Sequence, residues 1–164
     1  MIDQLIVSIL FALGSAQIDS QKEFECLATN IYFESRNQSM QGQFAVGIVT
    51  LNRVKDERFP NTICGVVKQG HHSKWWKEQH NRDVPIRNRC HFSWYCDGLS
   101  DKIRDKTAYR EAEKIARSVL IIHQEGIDPT GGATHYHTKT VNPAWNKQKI
   151  YIGTIDDHIF YKWE

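Results

Sequence analysis

The spacing of hydrophobic residues changes along this chain, and that change constrains its fold more than any other feature. In the first half, apolar residues recur three and four positions apart, the period of an amphipathic helix: Phe24, Leu27 and Ile31 form one such stripe. A second helical stripe lies between Ser39 and Val54, and a third between Thr107 and Gln124. After the turn cluster at 128–132 the pattern becomes short and β-rich, at 133–138, 148–152 and 155–163. The sequence predicts an α+β fold, with helices in the N-terminal half and a small antiparallel sheet toward the C-terminus.

Local signals predict where these elements begin and end. Ser20 and Glu23 have capping-box spacing and predict that the first helix begins there. Ser39 predicts the start of the second helix, and Phe59-Pro60 its end. Residues 61–69 are typical of a short helical turn. Alternation in the segment 90–98 predicts a strand that ends in an Asp-Gly turn.

The chain is 164 residues long, which is enough for one ordinary domain. Lys and Arg number 21 against 19 Asp and Glu, so the formal charge of +2 argues against a general affinity for polyanions. Residues 2–18 are mostly apolar, and the small residues Gly14-Ser15-Ala16 suit cleavage by a signal peptidase. We therefore expect a signal peptide or N-terminal apolar anchor at 1–18, a catalytic domain at 19–164, and export to the periplasm or cell wall. A helix packed on the core is the alternative for 1–18.

Four cysteines allow two disulfides with three possible connectivities. Cys90 and Cys96 are close in sequence, so their pairing is the simplest, and it leaves Cys26 with Cys64. Four buried thiols are the alternative.

Glu34 is the first candidate for chemistry, because it continues the apolar stripe of the first helix. Burial disfavours a carboxylate and raises its pKa, and an acid that keeps its proton near neutral pH can serve as a general acid. A structural Glu bonded to Arg36, Arg53 or a backbone group is the competing interpretation.

Three other patterns allow more than one interpretation. The segment 68–91 has six Lys or Arg against two acidic residues, with Trp75-Trp76 and four histidines interleaved. It suits contact with nucleic acid, anionic wall polymers or lipids, or a solvated insert. Phe92 and Trp94 could stack on sugars or fill a core. His135 and His137 could form a metal pair, with His123, Asp157 or His158 as a third ligand, although two such histidines are also common in exposed strands.

Several separated blocks resemble the SleB-type cell-wall hydrolases, which include spore-cortex lytic enzymes and related proteins of Gram-negative bacteria and their phages. The blocks are E-C-L-A-T-N-I-Y-F-E-S-R (25–36), G-Q-F-A-V-G-I-V-T-L-N-R-V (42–54), R-F-P-N-T-I-C-G-V-V-K-Q (58–69), C-H-F-S-W-Y-C-D-G (90–98), A-T-H-Y-H (133–137), V-N-P-A-W (141–145) and H-I-F-Y (158–161). Where related sequences often continue E-A-R-G-E, this chain reads E-S-R-N-Q, so Gln38 cannot supply a second carboxylate. The segment 70–89 also looks particular to this chain.

The resemblance implies a lysozyme-like, two-lobed domain that cleaves the bond between N-acetylmuramic acid and N-acetylglucosamine in peptidoglycan, with Glu34 as the catalytic acid. A lytic transglycosylase needs one such acid, whereas a hydrolytic glycosidase usually needs two carboxylates, for which Asp97, Asp101, Asp128 and Asp157 are candidates. We expect sugar contacts from Asn30, Phe92, Ser93, Trp94, His135, Tyr136 and Trp145.

We expect no metal or other cofactor, a monomer, glycan strands as the partner, no nucleic acid, and at most peripheral membrane association through the N-terminus. A lysis enzyme encoded by a phage is one expected identity of this protein. The alternatives are a zinc-dependent N-acetylmuramoyl-L-alanine amidase, with His135 and His137 as ligands, and a non-catalytic wall-binding module.

Overall fold

The computed structural model describes the backbone of residues 2–164 and the side chains from residue 19 onward. The predicted signal peptide or anchor at 1–18 lies outside the described side chains and stays a prediction. Within the described part of the chain, no helix is both long enough and apolar enough to cross a membrane. The helices are α1 (Ile2–Ser35), α2 (Met40–Lys55), α3 (Ile63–Val67), α4 (Lys74–His80) and α5 (Lys106–Gln124). The strands are β1 (Gly70–His72), β2 (Pro85–Cys90), β3 (His135–Thr138), β4 (Ile150–Ile155) and β5 (His158–Lys162).

The predicted α+β architecture is confirmed, and it consists of two lobes. Helices α1, α2, α3 and α5 form one lobe around a core that contains Leu27, Ile31, Ile48 and Val119. The second lobe is an antiparallel sheet in the order β3–β5–β4. The opposite face of α2 packs on this sheet through a separate apolar cluster of Ala45, Val49, Ala133 and Phe160. Helix α2 therefore joins the two lobes.

Three predictions about element boundaries are wrong. Ser20 does not begin the first helix but lies inside α1. The Glu23 carboxylate does not cap its own helix: it accepts hydrogen bonds from the backbone N–H groups of Ile63 and Cys64 and so caps α3. Helix α2 ends at Lys55, before the predicted stop at Phe59-Pro60. The chain turns at Asp56, whose side-chain Oδ1 accepts a hydrogen bond of 3.0 Å from the backbone N–H of Arg58.

The segment 90–98 is also not a strand beyond Cys90. Residues Ser93–Cys96 form a 3₁₀ turn, and a disulfide joins Cys90 to Cys96 across it. The second disulfide joins Cys26 on α1 to Cys64 on α3. The simplest pairing predicted from the sequence is therefore confirmed.

Candidate active site

A cleft of about 830 Å³ runs between the two lobes. The C-terminal turn of α1 forms its floor on the helical side, and β3 faces it from the sheet. The segment that follows β2, from His91 to Arg104, forms a third wall. Three parts of the chain that are distant in sequence thus surround one concave surface.

Glu34 lies in this cleft, in the last turn of α1. The Tyr136 hydroxyl, on β3, donates a hydrogen bond of 2.8 Å to Glu34 Oε2. Burial raises the pKa of Glu34 above its usual value of 4.5, while the Tyr136 hydrogen bond and the charge of Arg53 oppose the rise. Desolvation is the largest of these effects, so Glu34 keeps its proton at a higher pH than an exposed glutamate would.

Arg53 supplies the positive charge beside Glu34. Its guanidinium lies between two rings, 4.8 Å from the centroid of Phe92 and 5.4 Å from that of Phe59. Its Nε donates to the backbone carbonyl of Thr134 at 2.7 Å, which ties α2 to the start of β3. Its Nη1 is buried without a hydrogen-bond partner among the described residues. Arg53 also lines the cleft, but a bound ligand could reach the buried Nη1 only if neighbouring side chains moved.

Tyr136 keeps its proton throughout the physiological range. Burial and the neighbouring Glu34 raise the pKa of its hydroxyl well above the usual value of 10. The neutral Tyr136 hydroxyl can therefore donate to the Glu34 carboxylate. While it donates to Oε2, Oε1 is the oxygen that is free to carry the acidic proton of Glu34.

Aromatic side chains form the wall next to Glu34. The Trp94 ring stacks on Phe33, with centroids 4.6 Å apart and an interplanar angle of 19°. The Trp94 indole N–H donates to Asn30 Oδ1 at 2.9 Å, and the Asn30 amide donates to the Thr50 hydroxyl at 3.1 Å. This chain of bonds fixes the plane of Trp94 at the cleft, as a sugar-stacking surface requires.

The comparisons with known proteins agree with this architecture. The Cell Wall Hydrolase family profile matches residues 37–161, most of the chain. The chain belongs to this family. The match begins three residues after Glu34, so the assignment of Glu34 depends on the cleft geometry and on the sequence block that surrounds it.

Two curated relatives of this cell wall hydrolase are spore cortex-lytic enzymes. The Bacillus cereus enzyme is 29% identical over 144 residues, which cover 87% of this chain and 45% of that protein. The Bacillus subtilis enzyme is 26% identical over 142 residues, which cover 86% of this chain and 38% of that protein. The chain therefore spans less than half the length of these relatives.

Two solved structures match nearly the whole of their own chains. The catalytic domain of the Bacillus cereus SleB protein aligns with a TM-score of 0.61 and 28% identity, over 87% of this chain and 91% of that one. The catalytic domain of the germination-specific lytic transglycosylase SleB from Bacillus anthracis aligns with a TM-score of 0.62 and 29% identity, over 87% and 95%. The similarity thus extends over the part of this cell wall hydrolase that contains the cleft.

The structure brings together five of the eight side chains predicted for the site. Of these eight, the five that line the cleft are Glu34, Phe92, Ser93, Trp94 and Tyr136. Asn30 is instead fully buried behind Trp94, and both ends of its amide are bonded within the protein. Its contribution to sugar contacts is therefore indirect.

His135 and Trp145 do not line the cleft. The His135 ring contacts Trp145 and Trp163, with centroids 5.4 and 5.2 Å apart. Burial and the charge of Arg53 lower the pKa of His135 to about 3, so it is neutral. The predicted direct sugar contacts from His135 and Trp145 do not fit this placement.

The histidines of β3 do not form the metal pair that their spacing allowed. The Trp145 ring packs against both imidazoles, and both ring nitrogens of His137 are bonded, to the carbonyl of Thr138 and the hydroxyl of Tyr161. In the described ranges, no three His, Cys, Asp or Glu side chains converge as a metal site requires.

Other side chains also line the cleft. Sequence reasoning did not single out Tyr32 and Phe33, and it considered five more only for other roles, namely Arg53, Asp97, Asp101, His137 and His158. Two of them carried a usable signal. Arg53 follows the buried stripe of α2, where a charged side chain needs a partner, and Phe33 directly precedes Glu34. The segment 97–104 has no periodic pattern, and only the folded chain shows its place.

Proposed function

We propose that this cell wall hydrolase cleaves peptidoglycan glycan strands as a lytic transglycosylase, between N-acetylmuramic acid and N-acetylglucosamine, with Glu34 as the single acid and base. The observation that carries the proposal is a desolvated carboxylic acid in an aromatic-walled cleft, held by a hydroxyl that donates to it. The similar Bacillus anthracis structure is that of a lytic transglycosylase, which supports the proposal.

In this mechanism Glu34 acts twice. Its Oε1 proton passes to the glycosidic oxygen while the bond to C1 of the muramic acid breaks, and the muramoyl acetamide oxygen attacks C1 as the internal nucleophile. The Glu34 carboxylate then removes the proton of the C6 hydroxyl, whose oxygen displaces the acetamide and closes a 1,6-anhydro ring. No water is consumed, and Glu34 ends in its protonated form.

Arg53 and Tyr136 stabilise the carboxylate that exists between these two steps. Both lower the pKa of Glu34 against the larger effect of burial, so they favour release of its proton.

We also infer that the enzyme works in an oxidising compartment outside the cytoplasm. Its substrate is the cell wall, and both pairs of cysteines in the described residues are disulfides. Disulfides persist in exported proteins and are rare in cytosolic ones.

The test is product analysis by mass spectrometry after digestion of purified sacculi. Wild-type protein should release anhydro-muropeptides, and Glu34→Gln should lower the rate by about 10²–10⁴, the usual contribution of a positioned general acid. The exposed Glu57, which does not line the cleft, provides the matched control Glu57→Gln, with wild-type rates expected. EDTA should leave the activity intact.

Three results would contradict the proposal. Reducing-end muramic acid, together with a second dependence on Asp97 or Asp101, would indicate two-carboxylate hydrolysis. Free stem peptides and loss of activity in EDTA would indicate an amidase. Unchanged wall binding and biological effect in Glu34→Gln would indicate a binding module.

A further inference from the structure

The basic segment noted in the sequence forms a separate projection beside the cleft, which we call the basic hairpin (residues 70–90). Strands β1 and β2 pair antiparallel, and α4 lies between them in the chain. None of the residues of α4, β1 or β2 is buried. The hairpin therefore contributes nothing to the apolar core.

The hairpin is nevertheless held in a defined shape by its own contacts. His72 Nδ1, at the end of β1, lies 2.6 Å from Oδ1 of Asp83, which precedes β2. Ser73 caps α4, and Asn81 ends it in a left-handed conformation with φ of 49°. Gly70 permits close pairing at the base, because a Cβ there would lie 2.9 Å from the carbonyl oxygen of Arg89. An ordered projection with no core role is a candidate binding surface.

Its surface combines cations with an exposed aromatic ring. The basic side chains are Lys74, Lys77, Arg82, Arg87 and Arg89, and all are exposed. The acidic residues are Glu78 and Asp83, and Asp83 is already paired with His72. Trp75 is 57% exposed, which is unusual for tryptophan in a soluble domain. The surface is thus complementary to an anionic ligand that also offers flat apolar faces.

The hairpin is continuous with the wall of the cleft. Strand β2 leads directly into His91 and Phe92, which line the cleft. The Cys90–Cys96 disulfide and the bond of 2.9 Å from Arg87 Nε to the carbonyl of Asp97 fix β2 to the 3₁₀ turn that carries Trp94. A polymer that leaves the cleft on this side meets the hairpin next.

We propose that the basic hairpin binds the peptidoglycan strand outside the cleft, with its cations on the carboxylates of the stem peptides and Trp75 on a sugar face. This deepens the proposed function and rests on it for the nature of the polymer. The low apolar content of the hairpin favours this ligand over a lipid surface. Trp75 and Ile86 are the large apolar side chains that the hairpin exposes, and two are too few to insert into a bilayer.

The test measures binding to insoluble sacculi by co-sedimentation, with every variant made in the Glu34→Gln background so that nothing is digested. Lys74→Ala with Lys77→Ala should weaken binding about five- to tenfold at low salt, and the difference should shrink as salt screens the charges. Trp75→Ala should weaken binding at all salt concentrations. The matched control removes two exposed cations of α5, Arg110→Ala with Lys114→Ala, and should bind like the parent.

A second arm identifies the ligand chemistry. On glycan strands stripped of stem peptides by an amidase, each muramic acid keeps one lactyl carboxylate, so the double lysine variant should differ from the parent less than it does on intact sacculi. Trp75→Ala should still bind more weakly. Because the hairpin carries no buried residue, these variants should melt at the parental temperature.

The proposal is overturned if the double lysine variant binds intact sacculi like the parent. It is also overturned if the variant loses binding only to phosphatidylglycerol vesicles, which would make the hairpin a lipid-binding surface. These outcomes are separate from failure of the proposed function. Cleavage of short soluble glycan fragments reports on Glu34 alone, and binding in the Glu34→Gln background reports on the hairpin alone.

Discussion

At the residue scale, the proposed chemistry depends on the contacts of one carboxyl group. Glu34 could be predicted because helical periodicity is local: the apolar stripe of α1 leads to it within one turn of Ile31. Its contact with Tyr136 could not be predicted, since Tyr136 is 102 residues away and reaches Glu34 only through the fold. For the same reason Asn30, on the same helix, has a supporting role behind Trp94 that no local pattern indicates.

Removing the hydroxyl of Tyr136 should change the pH dependence of the reaction. The Tyr136 hydrogen bond lowers the pKa of Glu34, so Tyr136→Phe should raise that pKa further. Because a general acid works only while protonated, the fall in rate at the alkaline end of the profile should move to higher pH. The profile of kcat/KM against pH measures this, with the exposed Tyr151→Phe as control. A shift to lower pH would show that Tyr136 does not stabilise the carboxylate.

Glu34 should also make stability depend on pH. Its pKa is raised in the folded state, so the folded chain holds this proton where the unfolded chain has lost it. The stability that the protonated group contributes is present in full below about pH 4.5 and is lost as pH rises through the folded-state pKa. Glu34→Gln cannot ionise, so its melting temperature should increasingly exceed that of the wild type as pH rises. A difference that stays constant between about pH 4 and pH 8 would contradict the raised pKa.

At the element scale, the helices and strands were predictable where local signals agree with tertiary contacts. Ser39 caps α2 through the N–H of Gly42, and the predicted stripe of α5 is its buried face. The prediction failed at Ser20, where the partner of Glu23 is another helix, and at 90–98, where a disulfide closes a 3₁₀ turn. A capping signal identifies a carboxylate that can cap, but the fold determines which helix it caps.

The close packing of α2 against its neighbours depends on Gly47. A Cβ at this position would lie 3.0 Å from Val119 on α5 and 3.1 Å from Ile31 on α1. Gly47→Ala should therefore lower the free energy of unfolding by about 1–3 kcal/mol, although alanine favours helix. Urea unfolding measures the change. Gly153→Ala is the control, because a Cβ there meets nothing within 4 Å. Equal effects of the two substitutions would show that the helices can move apart freely.

At the scale of the whole molecule, the two lobes meet through few groups. Glu34 and Tyr136 join α1 to β3, Arg53 joins α2 to Thr134, and α2 contributes an apolar face to each lobe. The site therefore occupies the junction itself, so the relative position of the lobes sets the distance from Glu34 to its partners. One disulfide joins α1 to α3, and the other closes the 3₁₀ turn that carries Trp94.

The two disulfides should separate stability from activity. In the loop-closure account, stabilisation grows with the number of residues enclosed, and the sequence separations are 38 for Cys26–Cys64 and 6 for Cys90–Cys96. Replacing the first pair by serine should lower the free energy of unfolding by about 4 kcal/mol, and replacing the second by about 2 kcal/mol. Activity should follow the opposite order, because Cys90–Cys96 holds the turn that carries Trp94, whereas Cys26–Cys64 joins α1 to α3 away from the cleft.

Urea unfolding measures the free energy of unfolding of the two double variants. Sacculus digestion measures their activity, under conditions where each variant remains folded. If the Cys90–Cys96 variant kept full activity, the 3₁₀ turn would hold its shape without the covalent link, through Trp94 and Asn30 alone. If instead the Cys26–Cys64 variant were the less active while folded, the packing of α3 on α1 would control the position of Glu34. The order of the two activities therefore shows which wall of the cleft depends on a covalent bond.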